Sequence, residues 1–140
     1  MAKKFDFDKI LAKFAKTQQQ LPREIARLVV NHSKEAFRDG GFTDNTLTPW
    51  APRKRGNRAD RRTGKTRALL VDSGNLRRSI RASRVSFREV RVGAYGVEYA
   101  TYHNQGVAGR LPKRKFLGES AVLRRRIRLA ILTSMKKVFE

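Results

Sequence analysis

Apolar side chains recur every three or four residues over the first part of the chain, which is the spacing of an amphipathic helix. The pattern runs from Asp6 to Gln20, resumes after Pro22, and stops at the two glycines that follow Asp39. Proline fits the first turn of a helix, and glycine commonly ends one. The pattern therefore predicts either two paired helices or one long helix bent near Pro22. Its apolar positions are Phe7, Ile10, Leu11, Phe14, Ile25, Leu28, Val29, Ala36 and Phe37.

A second amphipathic pattern closes the chain between Glu119 and Phe139. Such a basic helix could lie on a membrane surface, but this segment lacks tryptophan and its apolar side is narrow. We therefore expect its apolar side to face a protein core and its basic side to face outward. The apolar side carries Leu123, Ile127, Ala130, Ile131 and Val138, and the basic side carries Arg124, Arg125, Arg128, Lys136 and Lys137.

The stretch "LLVDSGNLRRSI" at residues 69–80 predicts a short helical turn. Asp72 or Ser73 can cap its first turn, because both side chains accept hydrogen bonds from free backbone N–H groups. Leu76 and Ile80 stand four residues apart and are expected to face the interior together.

Beyond residue 80 the period changes from helical spacing to alternation. Apolar residues over 80–94 predict strands joined by tight turns, and the alternation over 97–101 predicts one further strand. Helices at both ends with a small antiparallel sheet between them make a single α+β domain. Its predicted parts are N-terminal helices at 1–41, a basic loop at 42–68, a sheet region at 69–118 and a C-terminal helix at 119–140.

The predicted loop holds the densest positive charge in the chain. Its stretch "PRKRGNRADRRTGKTR" has eight basic residues and one acidic residue, Asp60. Like charges at this density repel one another and oppose close packing, and loops of this length are commonly functional. We expect the loop to face DNA or a partner protein through Arg53, Lys54, Arg55, Arg58, Arg61, Arg62, Lys65 and Arg67.

The composition of the chain limits the classes of function that it can have. The chain has 33 Lys and Arg against 12 Asp and Glu, a formal net charge of +21. A field of that size attracts polyanions such as nucleic acid or acidic protein surfaces, without reading a base sequence. The absence of cysteine excludes disulfides and thiolate metal sites. No apolar run reaches the length of a membrane span, so we expect no membrane contact.

Only two histidines, His32 and His103, are available for metal or acid–base chemistry. A catalytic metal usually takes three protein ligands, and the carboxylates are scattered along the chain. We therefore expect no enzyme activity, no metal and no cofactor. His32 is expected to be an ordinary, partly buried residue, and His103 is expected to make structural hydrogen bonds.

Four segments in order carry a family resemblance: "LTPWAPRKRG", "LLVDSGNLRRSI", "VRVGAYGVEYATYHNQG" and "LPKRKFLGES". Together they resemble the phage virion morphogenesis, or tail completion, family of tailed bacteriophages. Two departures from the family pattern are Asn104-Gln105, where Gln followed by Phe or Tyr is commoner, and Lys113, where alanine is usual. The residues that match the pattern are Trp50, Asp72, Gly74, Leu76, Tyr99, His103, Gly106, Pro112, Arg114, Phe116, Leu117 and Gly118.

The resemblance implies a structural role for the histidine segment. Tyr99, Tyr102 and His103 would close the sheet against the "LPKRKFLGES" segment, and Phe116 and Leu117 would anchor the last helix. His103 would then hold a corner by hydrogen bonds, with no part in chemistry.

The resemblance also implies a function. Similar proteins form rings at the joint between capsid and tail, with genome DNA running through the centre. By resemblance, this chain would be a neck or tail completion protein, a homo-hexameric ring assembled in the host cytoplasm and retained in the virion. Its partners would be connector or stopper proteins and tail terminator or tail tube proteins. The N-terminal helices and the C-terminal helix would form the ring contacts.

Two other functions are consistent with the composition. A stand-alone, non-specific nucleic-acid-binding protein would bind free DNA or RNA as a monomer, with strong salt dependence. A small DNA-cleaving enzyme would lose its activity on replacement of His103.

Overall fold

The computed structural model describes residues 4–53, 69–71 and 74–140. Helices lie at both ends of the chain and two small antiparallel sheets lie between them, so the predicted α+β class is confirmed. Each sheet is a two-stranded hairpin, where the sequence predicted one sheet. The elements are α1 (Phe7–Asp39), β1 (Gly41–Thr43), β2 (Leu47–Pro49), α2 (Asn75–Ser79), β3 (Ile80–Val85), β4 (Val90–Ala94), α3 (Ala100–Gln105) and α4 (Ala121–Phe139).

The N-terminal pattern forms one continuous helix of 33 residues, so the alternative of two paired helices is wrong. Pro22 lies inside the helix, where it offers no N–H to the carbonyl of the preceding turn. Leu21, Pro22 and Ala26 are all buried, and their packing offsets the missing hydrogen bond.

Both ends of α1 have side-chain or backbone caps. Asp6 accepts a hydrogen bond from the backbone N–H of Lys9 at 3.1 Å. Gly40 takes a left-handed conformation with φ 65°, and its N–H bonds to the carbonyl of Ala36. Glycine reaches this conformation without the steric cost that a side chain would add. The chain can therefore turn sharply out of the helix into β1.

The hairpin of β1 and β2 corrects the predicted loop from residue 42. The strands pair antiparallel with Gly41 opposite Pro49, and the backbone N–H of Trp50 donates to the carbonyl of Gly40 at 2.8 Å. Every residue of β2 is exposed, so the strand has no alternation of buried and exposed positions. Hydrophobic periodicity could not detect such a strand.

The hairpin of β3 and β4 confirms the strands predicted over residues 80–94. Ile80 lies opposite Ala94 and Val85 opposite Val90. Glu89 links the two strands at the surface, because its carboxylate forms ion pairs with Arg84 at 3.0 Å and with Arg91 at 2.6 Å. The exposed positions of all three side chains make this contribution to stability small.

Two local predictions concern the segments on either side of this hairpin. The predicted caps of α2, Asp72 and Ser73, lie outside the described residues, and the residue at the N-cap position is Gly74. The strand predicted over 97–101 is absent, and α3 starts at Ala100 instead. Ala100 is the only buried residue of α3, so its apolar neighbours alternate by coincidence and not because they line a sheet.

The core lies where α1, both hairpins and the segment before α4 meet. Phe37 contacts the rings of Trp50 and Phe116, with centroid distances of 5.6 and 5.3 Å. Leu76 and Ile80 both face this core, as the sequence predicted. The cluster of buried residues is Ala36, Phe37, Phe42, Trp50, Leu76, Ile80, Ala100 and Phe116.

The helix α4 packs along α1 and begins at a double cap. Ser120 accepts a hydrogen bond from the backbone N–H of Leu123 at 3.2 Å and donates one to the carbonyl of Thr43 at 2.7 Å. Asp44 accepts the backbone N–H of Ala121 at 2.7 Å. The β1–β2 hairpin therefore fixes where α4 starts, two residues after the predicted Glu119.

Replacing Phe37 with Ala tests this core. Phe37 is 2% exposed and Phe139 is 71% exposed, so the same substitution at Phe139 is a matched control. We expect Phe37→Ala to lower the free energy of unfolding by about 3 to 5 kcal/mol, because it removes a buried ring and leaves a cavity. Phe139→Ala should change it by less than about 0.5 kcal/mol. Chemical denaturation of dilute protein gives both values, and equal losses would contradict this description of the core.

Candidate functional site

The structure describes the predicted basic loop up to Arg53, and residues 50–53 are called the loop base below. Arg53 is its single described basic residue and is partly exposed. The placement of Lys54, Arg55, Arg58, Arg61, Arg62, Lys65 and Arg67 lies outside the described residues, as does Asp72 of the family motif. A polyanion contact through the loop therefore stays a prediction.

Arg114 ties the loop base to the segment that precedes α4. Its Nε and Nη2 atoms donate to the carbonyl of Ala51 at 3.1 and 2.9 Å, and Nη2 also reaches the carbonyl of Pro52 at 3.4 Å. The indole N–H of Trp50 donates to the carbonyl of Lys115 at 2.8 Å. Residues 50–52 are thus held to 114–115 by two side chains, which sets where the loop leaves the core.

The guanidinium of Arg114 is buried, with 7% of the residue exposed. Burial lowers the pKa of Arg114 below its ordinary value, and the nearby charge of Arg53 lowers it further. Both effects mean that the surroundings disfavour the positive charge. Within the described part of the chain, the acceptors of this guanidinium are backbone carbonyls and no carboxylate.

The predicted role of the His103 ring needs correction. Tyr99 and Tyr102 are 46% and 58% exposed, so they do not close a sheet against the segment 111–120. The ring of His103 stacks edge-on against Tyr99 with a centroid distance of 5.8 Å, and its Nδ1 has no hydrogen-bond partner among the described residues. The main chain of His103 does hold the corner, because its carbonyl accepts the N–H of Arg114 at 2.8 Å.

Asn104 makes the side-chain contacts that the sequence analysis assigned to His103. Its Oδ1 accepts the backbone N–H groups of Phe116 and Leu117 at 2.9 and 3.1 Å. Its Nδ2 donates to the carbonyl of Leu117 at 3.0 Å. In the sequence, the one indication of this role was that Asn104 departs from the family pattern. An amide is suited to this role since it donates and accepts together.

Gly106 turns the chain after α3 toward the same segment. Its φ is 75°, and a Cβ atom there would lie 2.8 Å from the backbone nitrogen of Lys113. Any side chain at this position would therefore push the two sides of this loop apart. Pro112 lies in the loop and is partly buried, and Gly118 is exposed after the buried Phe116.

Ser33 joins this segment to α1. Its hydroxyl donates to the carbonyl of Phe116 at 2.6 Å, and both residues are almost completely buried. Sequence reasoning missed Ser33, because a serine on a helix carries no periodic signal for a distant backbone partner. Phe116 and Leu117 do connect the core to α4, since Phe116 belongs to the buried cluster and Leu117 packs against it.

His32 is more deeply buried than the sequence predicted, with 4% of the residue exposed. Its Nε2 lies 3.1 Å from the carbonyl of Thr43, and its Nδ1 has no partner among the described residues. Nε2 must therefore carry the proton and donate it. Burial lowers the pKa of His32 from its ordinary 6.5, and the hydrogen bond to Thr43 opposes that shift only in part.

A single cavity of about 450 Å³ brings together several of the predicted site residues. It lies between the loop base, the start of α2 and α3. Five of the family-motif residues line it, namely Gly74, Leu76, Tyr99, His103 and Arg114. The cavity walls are completed by Arg53, Leu70, Val71 and Asn75.

The described residues show no arrangement typical of a metal centre or a membrane span. They contain no group of three or more His, Asp or Glu side chains placed to hold a metal ion. None of their helices is both long enough and apolar enough to cross a bilayer.

Comparison with known proteins identifies the family of this chain. A family model described as the phage virion morphogenesis family matches residues 4–136. The matched range includes both hairpins, the cavity and most of α4, so the resemblance drawn from the short motifs is confirmed. No curated protein and no solved structure matches the chain significantly.

Asn104 and His103 can be separated by mutation. Asn104→Ala removes three hydrogen bonds, two of which satisfy backbone N–H groups of the core segment. At about 1 kcal/mol for each bond, we expect a loss of about 2 to 3 kcal/mol in the free energy of unfolding. His103→Ala should cost about 1 kcal/mol, because the ring loses packing but no hydrogen bond. Urea denaturation measures both, and a larger loss for His103→Ala would return the structural role to the histidine ring.

The two histidines predict a dependence of stability on pH. Burial lowers the pKa of His32 and of His103 in the folded state, while the unfolded value stays near 6.5. Below pH 6.5 the histidines of the unfolded chain bind protons more readily than those of the folded chain. The free energy of unfolding is therefore at its highest above pH 6.5, and it falls as the pH drops toward the lower pKa values of the folded state. We expect a lower urea midpoint at about pH 5.5 than at about pH 7.5, with at most about 1.4 kcal/mol per pH unit for each histidine. His32→Gln keeps a donor near Thr43 and should reduce the slope, whereas an unchanged slope would show that His32 does not titrate in this range.

Proposed function

The chain belongs to the phage virion morphogenesis family, and from this premise we propose that it is a neck or tail completion protein of a tailed bacteriophage. In this proposal it forms a homo-hexameric ring at the joint between capsid and tail, and genome DNA passes through the ring. Membership of the family itself implies a structural, virion-associated role and not a catalytic one. The observation that supports a ring is the pair of exposed apolar stripes on α1 and α4.

The first stripe lies at the start of α1. Phe7 and Leu11 are 68% and 61% exposed, and Asp8 lies beside them on the same side of the helix. None of residues 4–20 is buried. Within the described part of the chain, Asp8 forms no ion pair. An exposed apolar stripe of this kind marks an interaction surface more often than a free one.

The second stripe lies on the outer side of α4. Leu129 and Leu132 are 66% and 60% exposed. Arg125 and Arg128 stand one turn before them on the same side, and neither forms an ion pair with a described residue. The two stripes are alike in their apolar content and opposite in charge. We infer that the α1 stripe of one subunit packs on the α4 stripe of the next.

A contact between two different stripes is heterologous, and repeated heterologous contacts close into a ring when the rotation between subunits allows it. Each subunit would then bring its basic loop to the same side of the assembly. Residues 51–140 hold 24 basic and 6 acidic residues, so this charge is concentrated in the part of the chain that contains the loop. Repeated around a ring, it would hold DNA by its phosphates without sequence specificity.

The same charge supports the proposed protein partners. Connector or stopper rings on the capsid side and tail terminator or tail tube rings on the other side would bind through acidic surfaces. Electron cryomicroscopy of virions would locate the protein. A subunit outside the neck, or residues 53–67 facing bulk solvent away from the channel and from neighbouring rings, would contradict the proposal.

A stand-alone, non-specific nucleic-acid-binding protein is the second candidate, and the eight basic residues of 53–67 favour it. It requires tight binding of a short DNA duplex by the monomer, with a slope of log affinity against log salt close to the number of phosphates engaged. The ring proposal requires weak binding by the monomer and tighter binding after assembly. Mass measurement with and without DNA distinguishes the two functions.

A charge exchange tests the proposed ring contact. Asp8→Arg alone, or Arg125→Asp with Arg128→Asp, places like charges in the contact and should weaken self-association about tenfold or more. Combining the three substitutions restores opposite charges and should recover most of the association. Glu24→Arg makes the same charge change on the opposite side of α1 and serves as the control.

Analytical ultracentrifugation of the purified variants gives the association constants, and circular dichroism confirms that each variant remains folded. Failure of the combined variant to recover association would contradict the pairing of these two stripes. Unchanged association in the variants altered on one stripe only would do the same.

A further inference from the structure

The cavity between the loop base, α2 and α3 is lined by both apolar and polar or cationic residues. Its apolar lining residues are Leu70, Val71, Leu76 and Tyr99. Its polar and cationic lining residues are Arg114, His103, Asn75 and Arg53, and no acidic side chain is among the described lining residues. Concave sites that combine apolar walls with a few polar groups are typical of ligand and peptide recognition.

Arg114, which lines the cavity, has donor capacity left. Its Nε and Nη2 atoms are occupied by the carbonyls of Ala51 and Pro52, while Nη1 makes no hydrogen bond within the described part of the chain. Carbonyl dipoles satisfy hydrogen bonds but do not neutralise a full charge. A buried cation without an anion remains electrostatically unfavourable, so an incoming anion would be bound strongly here.

His103 lines the same cavity, and an anion bound there would change the protonation equilibrium of its ring. Its ring makes no hydrogen bond to a described residue. Burial lowers the pKa of His103, and the charge of Arg114 lowers it further. An anion placed between the two side chains would offset the charge of Arg114 and raise the pKa of the histidine.

We propose that this cavity binds a carboxylate side chain presented by a partner protein, with Nη1 of Arg114 as its main donor and the His103 ring beside it. The planar guanidinium suits a carboxylate, and the apolar wall accommodates the methylene groups and apolar neighbours of an acidic side chain. A DNA phosphate fits less well, because its flanking sugars would meet Leu70, Val71 and Tyr99. Only the identity of the protein that carries the carboxylate rests on the proposed function.

The test uses a capped tripeptide with a central glutamate, acetyl-Leu-Glu-Leu-amide, and its glutamine counterpart. Titration of the full-length protein is followed by the NMR signals of the His103 imidazole. We expect saturable binding of the glutamate peptide, at least about fivefold weaker binding of the glutamine peptide, and a higher pKa of His103 in the complex. Equal binding of the two peptides, or no binding, would overturn the proposal.

Variants and a DNA arm complete the test. Replacing Arg114 would also release Ala51, so the site is altered through Asn75, whose Oδ1 accepts a hydrogen bond from Arg78 at 2.7 Å. Asn75→Asp keeps that acceptor and places a resident carboxylate at the cavity wall, which should weaken the glutamate peptide at least about tenfold. Asn31→Asp makes the same change on the exposed surface of α1 and should leave binding within about twofold.

Equal effects of the two variants would count against the cavity as the binding site. A short DNA duplex that shifts the His103 signals when the peptide does not would assign the cavity to nucleic-acid phosphate and reject a protein carboxylate. None of these readouts involves the stripes on α1 and α4, so a failure here leaves the ring contact to be judged by its own experiment.

Discussion

The fold depends on how residues 114–117 satisfy their backbone while they cross the core without belonging to a helix or a strand. A buried N–H or C=O group without a partner costs about as much as a lost hydrogen bond. Four other parts of the chain supply those partners. The His103 carbonyl, the Trp50 indole, the Ser33 hydroxyl and the Asn104 amide together satisfy six backbone groups of the segment.

This arrangement links the scaffold to the site. Because Phe116 is held by Ser33 of α1 and by Asn104 of α3, the position of Arg114 two residues earlier is fixed from both sides. Arg114 in turn holds Ala51 at the start of the basic loop. Arg114 therefore enters the cavity wall from a backbone position held by hydrogen bonds, and a well-positioned donor favours selective binding of a small charged group.

The sequence predicted those features that repeat along the chain. The spacing of apolar residues was sufficient for both terminal helices and for the hairpin over 80–94, because α1 from Leu21 onward, α4 and the hairpin each have one side that is more buried than the other. It was insufficient for β2, in which every residue is exposed, and for α3, in which only Ala100 is buried.

The site was predicted only in part for a related reason. Motif resemblance identified Trp50, Arg114 and Phe116, which the structure does bring together around the core segment. It assigned the hydrogen bonds of the corner to the His103 ring, whereas the next residue, Asn104, makes them. A side chain that bonds to a distant backbone group leaves no periodic pattern in the sequence, so Ser33, Ser120 and Asp44 are recognisable only in the folded structure.

Pro22 has a mechanical consequence for the long helix. It stands at the boundary between a half of α1 that is packed into the molecule and a half in which no residue is buried. The helix lacks one internal hydrogen bond at this boundary, and bending is easier where the ladder is interrupted. The outer half, about 20 Å long at 1.5 Å per residue, is joined to the rest of the molecule by side chains that include Lys13, which bonds to the carbonyl of Glu140, and Phe14, which contacts the ring of Phe87. Bending at Pro22 would change these outer contacts and leave the hydrogen bonds around Phe116 intact.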